Sequence, residues 1–243
     1  MAGNIVGLLL SWAVLWLAQR KSILALGFTP VAKRIFQFAI AFLFSALLCA
    51  SLQLFESFLN HSRWLLNSRI TFSQIVESLR WNFNSVLFEE LIFRGALLYI
   101  AIKRLGNKKA ILLSAICFGI YHWFSFGLLG NVVPMVVVFI ITGLMGLAWA
   151  YAFSKTNSMA LPIGFHLGWN FVFNAVFSKG GFTNTPVLIF EPTSNYSALT
   201  GFSSIANFFL QNLLPSLLAF LFVKFYFREK ISPVETTQPA IHF

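Results

Sequence analysis

Trp81-Asn-Phe-Asn-Ser-Val-Leu-Phe-Glu-Glu-Leu-Ile-Phe-Arg-Gly-Ala-Leu-Leu-Tyr-Ile-Ala-Ile102 has the length and apolar character of a membrane crossing, yet it carries Glu89, Glu90 and Arg94. A charged side chain at the centre of a bilayer costs about 2.5–3.5 kcal/mol on insertion scales. Two adjacent carboxylates in such a run mark a functional site and require a named partner. Arg94 stands four residues after Glu90, one helical turn on, where opposite charges meet. That pairing leaves Glu89 free.

The rest of the chain fits the same setting. Of its 243 residues 58% are hydrophobic and 10% are charged, Phe occurs 30 times, and no Asp is present. A soluble domain carries roughly 25% charged residues, so composition points to an integral membrane protein. The +10 net charge would suggest nucleic acid in a soluble protein. Here the basic residues cluster at the ends of apolar runs, which points to the membrane surface and to no nucleic-acid partner.

Seven runs approach the ~20 apolar residues a crossing needs, near 3–19, 35–58, 81–102, 110–127, 132–153, 159–178 and 203–227. The first is followed, not preceded, by its positive charges (Arg20, Lys21), so it reads as a retained span and not a secretory signal. The stretch 66–80 is amphipathic and reads as an interfacial helix. The expected architecture is all-α: a polytopic transmembrane helical bundle of about seven spans plus that interfacial helix. Residues 1–228 form a single transmembrane domain with a catalytic core at about 81–178, and 229–243 form a polar, disordered tail. Cys49 and Cys117 fall in apolar runs and read as small hydrophobes.

The loops 20–34, 103–109 and 154–158 with the C-terminal end carry twelve Lys and Arg, the opposite side only Arg63, Arg69, Arg80 and Lys179. The positive-inside rule places the first set in the cytoplasm, the N-terminus outside and the C-terminus inside. The long loop 179–202 reads as a gate for peptide entry, hinged at Gly180-Gly181.

His61 and His242 read as solvated. His122 and His166 lie in the fourth and sixth runs, and Asn170 shares a helical face with His166. At ~1.5 Å rise per residue, Glu89, His122 and His166 all fall roughly 10–14 Å below the outer boundary of a ~30 Å core. Three polar clusters from separate spans therefore share one layer. Gly95, Gly119, Gly164 and Gly168 flank them, and the Gly164/Gly168 pair permits close helix approach.

A carboxylate enclosed by apolar side chains suits a general base, and His122 can orient or deprotonate the same water. His166 and Asn170 can donate to an oxyanion. Glu89, His122 and His166 are also metal-ligand types, able to hold Zn2+ with a position open for water. The residues leave both chemistries open. Other hydrolase designs are excluded: there is no His-Glu-x-x-His, no Asp pair and no Gly-x-Ser-x-Gly elbow.

Glu-Glu-x-x-x-Arg (Glu89, Glu90, Arg94), Phe-x-x-x-His (Phe118, His122) and His-x-x-x-Asn (His166, Asn170) together resemble the three motifs of the CPBP intramembrane proteases. That family includes the type II CAAX prenyl endopeptidases and the Abi bacteriocin-immunity proteins. The resemblance covers about 89–170. It implies an all-α membrane bundle with its site in a cavity within the bilayer. It also implies endoproteolysis near the C-terminus of a membrane-associated substrate, as in removal of the last three residues after Cys prenylation. By resemblance Glu89 activates water with His122, and His166 and Asn170 stabilise the oxyanion. The family has been described both as metalloproteases and as metal-free glutamate proteases. Eukaryotic members act on the cytosolic side, whereas the charge pattern here puts the site in the outer half. The small size suits a bacterial inner-membrane protein, for which prenylated substrates are not expected. A non-catalytic immunity or membrane-peptide-binding protein is the alternative. A proton-coupled transporter is a third reading, disfavoured because no inverted repeat is visible.

Overall fold

The structure is a computed structural model and describes residues 2–178 and 186–227. The expected hinge at Gly180-Gly181 and the tail 229–243 lie outside these. The described chain is a helical bundle built from α1 (Ala2–Gln19), α2 (Val31–Leu59), α3 (Phe72–Phe93), α4 (Ala96–Leu105), α5 (Asn107–Ser125), α6 (Val132–Thr156), α7 (Ala160–Phe171), α8 (Gly201–Asn212) and α9 (Leu214–Tyr226). The polarity is that of a membrane protein. Large apolar side chains such as Leu17, Leu47, Phe58 and Val133 face outward, while Gln37, Asn82, Glu90, Arg94 and His166 are buried. Water cannot satisfy backbone groups in hydrocarbon, so the crossing segments are helical. Three helical stretches are long and apolar enough to cross a membrane by length and composition: Val31–Leu59, Val132–Thr156 and Gly201–Tyr226. The last is interrupted at Leu213, two residues before Pro215, whose ring carries no N–H for the preceding turn.

Two expectations need correction. The run 81–102 is not one helix. α3 stops at Phe93 and α4 restarts at Ala96. Gly95 sits between them at φ −79°, ψ −134°, and a Cβ there would lie 2.1 Å from the Leu91 carbonyl oxygen. The break therefore requires glycine. Nor is 66–80 a separate interfacial helix. α3 itself begins at Phe72, where Thr71 accepts from the Gln74 N–H and the Gln74 side chain accepts from the Thr71 N–H. This capping box stabilises a helix start, and the amphipathic turns 72–80 run straight into the apolar ones.

A small sheet was also not expected. β1 (Ser62–Leu66) pairs antiparallel with β2 (Leu188–Pro192), with Trp64 opposite Phe190 and Arg63 opposite Glu191. Arg63 and Glu191 form an ion pair across the strands. Trp64 packs edge-on against Phe177, ring centroids 5.0 Å apart. The sheet thus sits on the end of α7, which continues as a π-helical turn through Val172–Val176.

α7 lies against α2 at backbone contact. A Cβ at Gly164 would meet the Phe38 carbonyl oxygen at 2.5 Å, and one at Gly168 the Phe42 carbonyl oxygen at 2.3 Å. These two glycines set the depth at which His166, between them, is held. Gly168→Ala is expected to force α2 and α7 apart and lose about 1–3 kcal/mol, as overpacked cores do. A denaturant titration of the purified protein in mild detergent checks this; an unchanged midpoint would show that the helices can shift freely.

Candidate active site

The carboxylates sit at the end of α3. Glu90 and Arg94 are both fully buried, and the Arg94 Nη1 donates to Glu90 Oε1 at 3.2 Å. The guanidinium also lies over the Phe118 ring at 4.1 Å and near Trp149 at 5.3 Å, a cation–π arrangement. Gly146 on α6 makes the room: a Cβ there would come within 3.0 Å of both Arg94 Nη2 and Phe118. Phe118, the first residue of the second motif, is thereby the floor under Arg94.

Glu90 has a second partner that spacing does not reveal. His166 Nδ1 lies 2.9 Å from Glu90 Oε1. A carboxylate accepts, so Nδ1–H donates. This fixes the ring with its other nitrogen toward Glu89, Nε2 standing 3.8 Å from Glu89 Oε2. Trp149 stacks on the imidazole at 4.0 Å and 20°, so the ring is clamped on its face and at one edge.

Glu89 is different. Its Oε2 is buried and has no hydrogen-bond partner, while the side chain retains 13% exposure and lines a cavity of about 470 Å3. Ser85, one turn earlier, interacts with its carboxylate. His122 lines the same cavity from α5. Its Nδ1–H donates to the Phe118 carbonyl at 2.8 Å, which leaves Nε2 as an acceptor in the neutral ring. Asn170, one turn past His166, lines the cavity as well and makes no hydrogen bond among the described residues. The structure thus brings Glu89, His122, His166 and Asn170 to one cavity, with Glu90, Arg94 and Phe118 behind them.

Several lining residues were not singled out from sequence: Ser85, Trp149, Gln53, Glu56, Asn174 and Gln211. Gln53 and Glu56 carried a usable signal, being polar within the apolar run of α2. Asn174 Nδ2 donates to Asn82 Oδ1 at 3.0 Å, and Asn82 in turn donates to the Ser78 carbonyl. This buried bond ties α3 to the end of α7. Asn174→Ala is expected to lower stability by about 0.6–2 kcal/mol, the range for interhelical bonds in membranes. The same denaturant titration reads it, and an increase in stability would count against the tie.

Among the described residues no group of three His, Cys, Asp or Glu side chains is placed to hold a metal ion. Each histidine gives its Nδ1–H to Glu90 or to the Phe118 carbonyl, which leaves its Nε2 uncommitted.

Residues 71–172 match the family model of the type II CAAX prenyl endopeptidases, Rce1-like. This core is similar to that family. The matched segment opens at Thr71, the cap of α3, and closes at Val172, where α7 turns π-helical. It holds all three motifs of the CPBP proteases and every residue that builds the carboxylate–arginine–histidine cluster. That similarity suggests a protease acting in the membrane. No curated protein and no solved structure matches the chain.

Proposed function

We propose that this protein is an intramembrane endopeptidase that hydrolyses a peptide bond of a membrane-associated substrate by water activated at Glu89. One observation carries the proposal. Of the two adjacent carboxylates, Glu90 is held by Arg94 and His166, while Glu89 lines the cavity with Oε2 unpartnered. Both carboxylates keep one oxygen without a hydrogen-bond partner, but Glu90 is fully buried outside the cavity lining, so Glu89 is the one a water in the cavity can reach, as a general base requires.

The chemistry then runs through this chain's own groups. Glu89 takes a proton from water, with the free Nε2 of His122 as second acceptor. The water oxygen bonds to the scissile carbonyl carbon, and charge develops on the carbonyl oxygen. The Asn170 amide donates to that oxygen. His166 can join from Nε2 in its imidazolium form, since Nδ1–H is already given to Glu90. As the C–N bond breaks, the proton passes to the leaving amine. A bacterial inner membrane and an unprenylated substrate are part of this proposal, as is the absence of any step through Zn2+.

The test is cleavage of a library of membrane-embedded peptides by purified wild type, His122→Ala and Asn170→Ala, each with and without a chelator. Asn170→Ala is expected to lower kcat roughly 10²–10³-fold, the cost of one oxyanion donor, with little change in KM. The wild type is expected to be insensitive to the chelator. Chelator-sensitive activity restored by Zn2+ would contradict the metal-free route. Undiminished function of both variants in cells would favour a peptide-binding or immunity role.

A further inference from the structure

α5 and α6 run antiparallel. The Trp123 indole near the end of α5 donates to the Met135 carbonyl near the start of α6, and Phe118 meets Trp149 midway. The opposite end of the pair carries a cation on each helix. Lys108 is the second residue of α5 and Lys155 the last but one of α6. Both line one surface recess of about 300 Å3. Its floor lies deeper. Ile111 and Leu112 stand about one turn in from Lys108, Leu147 two turns in from Lys155, and Phe220 comes from α9. Tyr151, one turn below Lys155, packs on Phe220 with ring centroids 4.5 Å apart. The Lys155 ammonium stands over the same Tyr151 ring at 5.7 Å. A cation on an aromatic platform thus tops an apolar trough, and from Lys155 to Leu147 α6 descends about 12 Å at its ordinary rise per residue.

The surroundings face hydrocarbon. Leu112, Leu113, Leu144 and Leu217 are exposed, and Lys155 stands near the end of a 25-residue helix that is long and apolar enough to cross a membrane. The recess therefore starts at headgroup level and runs into the acyl-chain region. A single lysine at a helix end is ordinarily an anchor that trails its stem over apolar surface. Two lysines from different helices above one trough do more. They set two positive charges where one anion can meet both, and the trough gives its apolar remainder a place to lie.

We infer that the recess between α5, α6 and α9 is a binding site for an anionic phospholipid, with its phosphate between Lys108 and Lys155 and an acyl chain along Leu147 and Phe220. Basic pockets between transmembrane helices take acidic head groups in this way. A choline lipid offers the same acyl chains but brings its own cation to the lysines. Free phosphate offers the charge without the apolar part. A lipid held here ties α5, which carries His122, to α6, which carries Trp149. The site is separate from the catalytic cavity and does not depend on the peptidase chemistry proposed above.

The experiment follows the unfolding midpoint of the full-length protein in a neutral detergent as phosphatidylglycerol, phosphatidylcholine with the same acyl chains, or inorganic phosphate is added. Phosphatidylglycerol is expected to raise the midpoint saturably, and the other two to leave it nearly unchanged. Lys108→Gln combined with Lys155→Gln is expected to need about 30-fold more phosphatidylglycerol for half the rise, about five-fold for each lysine removed. Leu147→Trp, which fills the trough and keeps both lysines, is expected to lose the rise as well. Lys21→Gln combined with Lys33→Gln removes the same charge from the α1–α2 connection and is expected to titrate as wild type. Each variant's midpoint without lipid shows that it is folded. Equal weakening in the two double variants would mean diffuse surface charge, and an equal response to phosphatidylcholine would mean a groove that does not read charge. A response to inorganic phosphate matching that to the lipid would mean an anion site without an acyl chain. Any of these, or wild-type titration of the Lys108/Lys155 variant, would overturn the proposal.

Discussion

Arg94→Met is expected to lose about 3–5 kcal/mol of stability, the usual result of removing one partner from a buried ion pair. The reason is what remains. Glu90 is fully buried, and without the guanidinium only His166 would still face its carboxylate. The Phe118 and Trp149 rings would also lose the cation lying over them at 4.1 and 5.3 Å. The pair itself is not expected to be very stabilising. Arg94 Nε and Nη2 have no hydrogen-bond partner, and buried donors left unpaired carry a desolvation penalty. Glu90→Gln combined with Arg94→Met should therefore lose much less than the sum of the two single changes. A double-mutant cycle by denaturant titration in detergent checks this. Single variants within about 0.5 kcal/mol of wild type, the scatter of ordinary surface changes, would show that the cluster does not hold the site.

Glu89→Gln is expected to behave in the opposite way. It should lower kcat/KM about 10²–10⁴-fold, the contribution of a positioned general base, and leave the unfolding midpoint close to wild type. Its Oε2 makes no hydrogen bond, and a Gln amide oxygen can still face Ser85, so the fold loses little when the charge is removed. Adjacent glutamates thus divide the work. Substitution of Glu90 or its arginine should damage structure first, and substitution of Glu89 should damage chemistry alone.

Much of this division was legible in the sequence because it is local. The i to i+4 spacing of Glu90 and Arg94 predicts their contact, and a common depth for Glu89, His122 and His166 predicts one site. The Gly164 and Gly168 spacing predicts a close helix pair and was met by α2. The helical membrane bundle was legible from composition for the same reason: hydrocarbon permits few alternatives. What stayed hidden depends on contacts between distant segments. The bond from His166 to Glu90 joins residues 76 positions apart, and no pattern on either helix announces it. β1 and β2 are short and come from opposite sides of the bundle sequence. They are strands because they find each other, since neither is long enough to declare itself by alternation. The start of α3 was available in principle, from Thr71 and Gln74 three residues apart, but the apolar run that follows it drew the boundary to Trp81. The break at Gly95 was masked likewise, because an unbroken apolar run gives no sign of where its helix ends.

The most direct test of the central claim is single-turnover cleavage of one membrane-embedded peptide by wild type and Glu89→Gln in the same lipid nanodiscs. The wild type should cut at a single internal bond, and Glu89→Gln should bind the peptide with similar affinity and leave it intact. Cutting by Glu89→Gln at the wild-type rate would contradict water activation at Glu89 and move the general base elsewhere in the cavity.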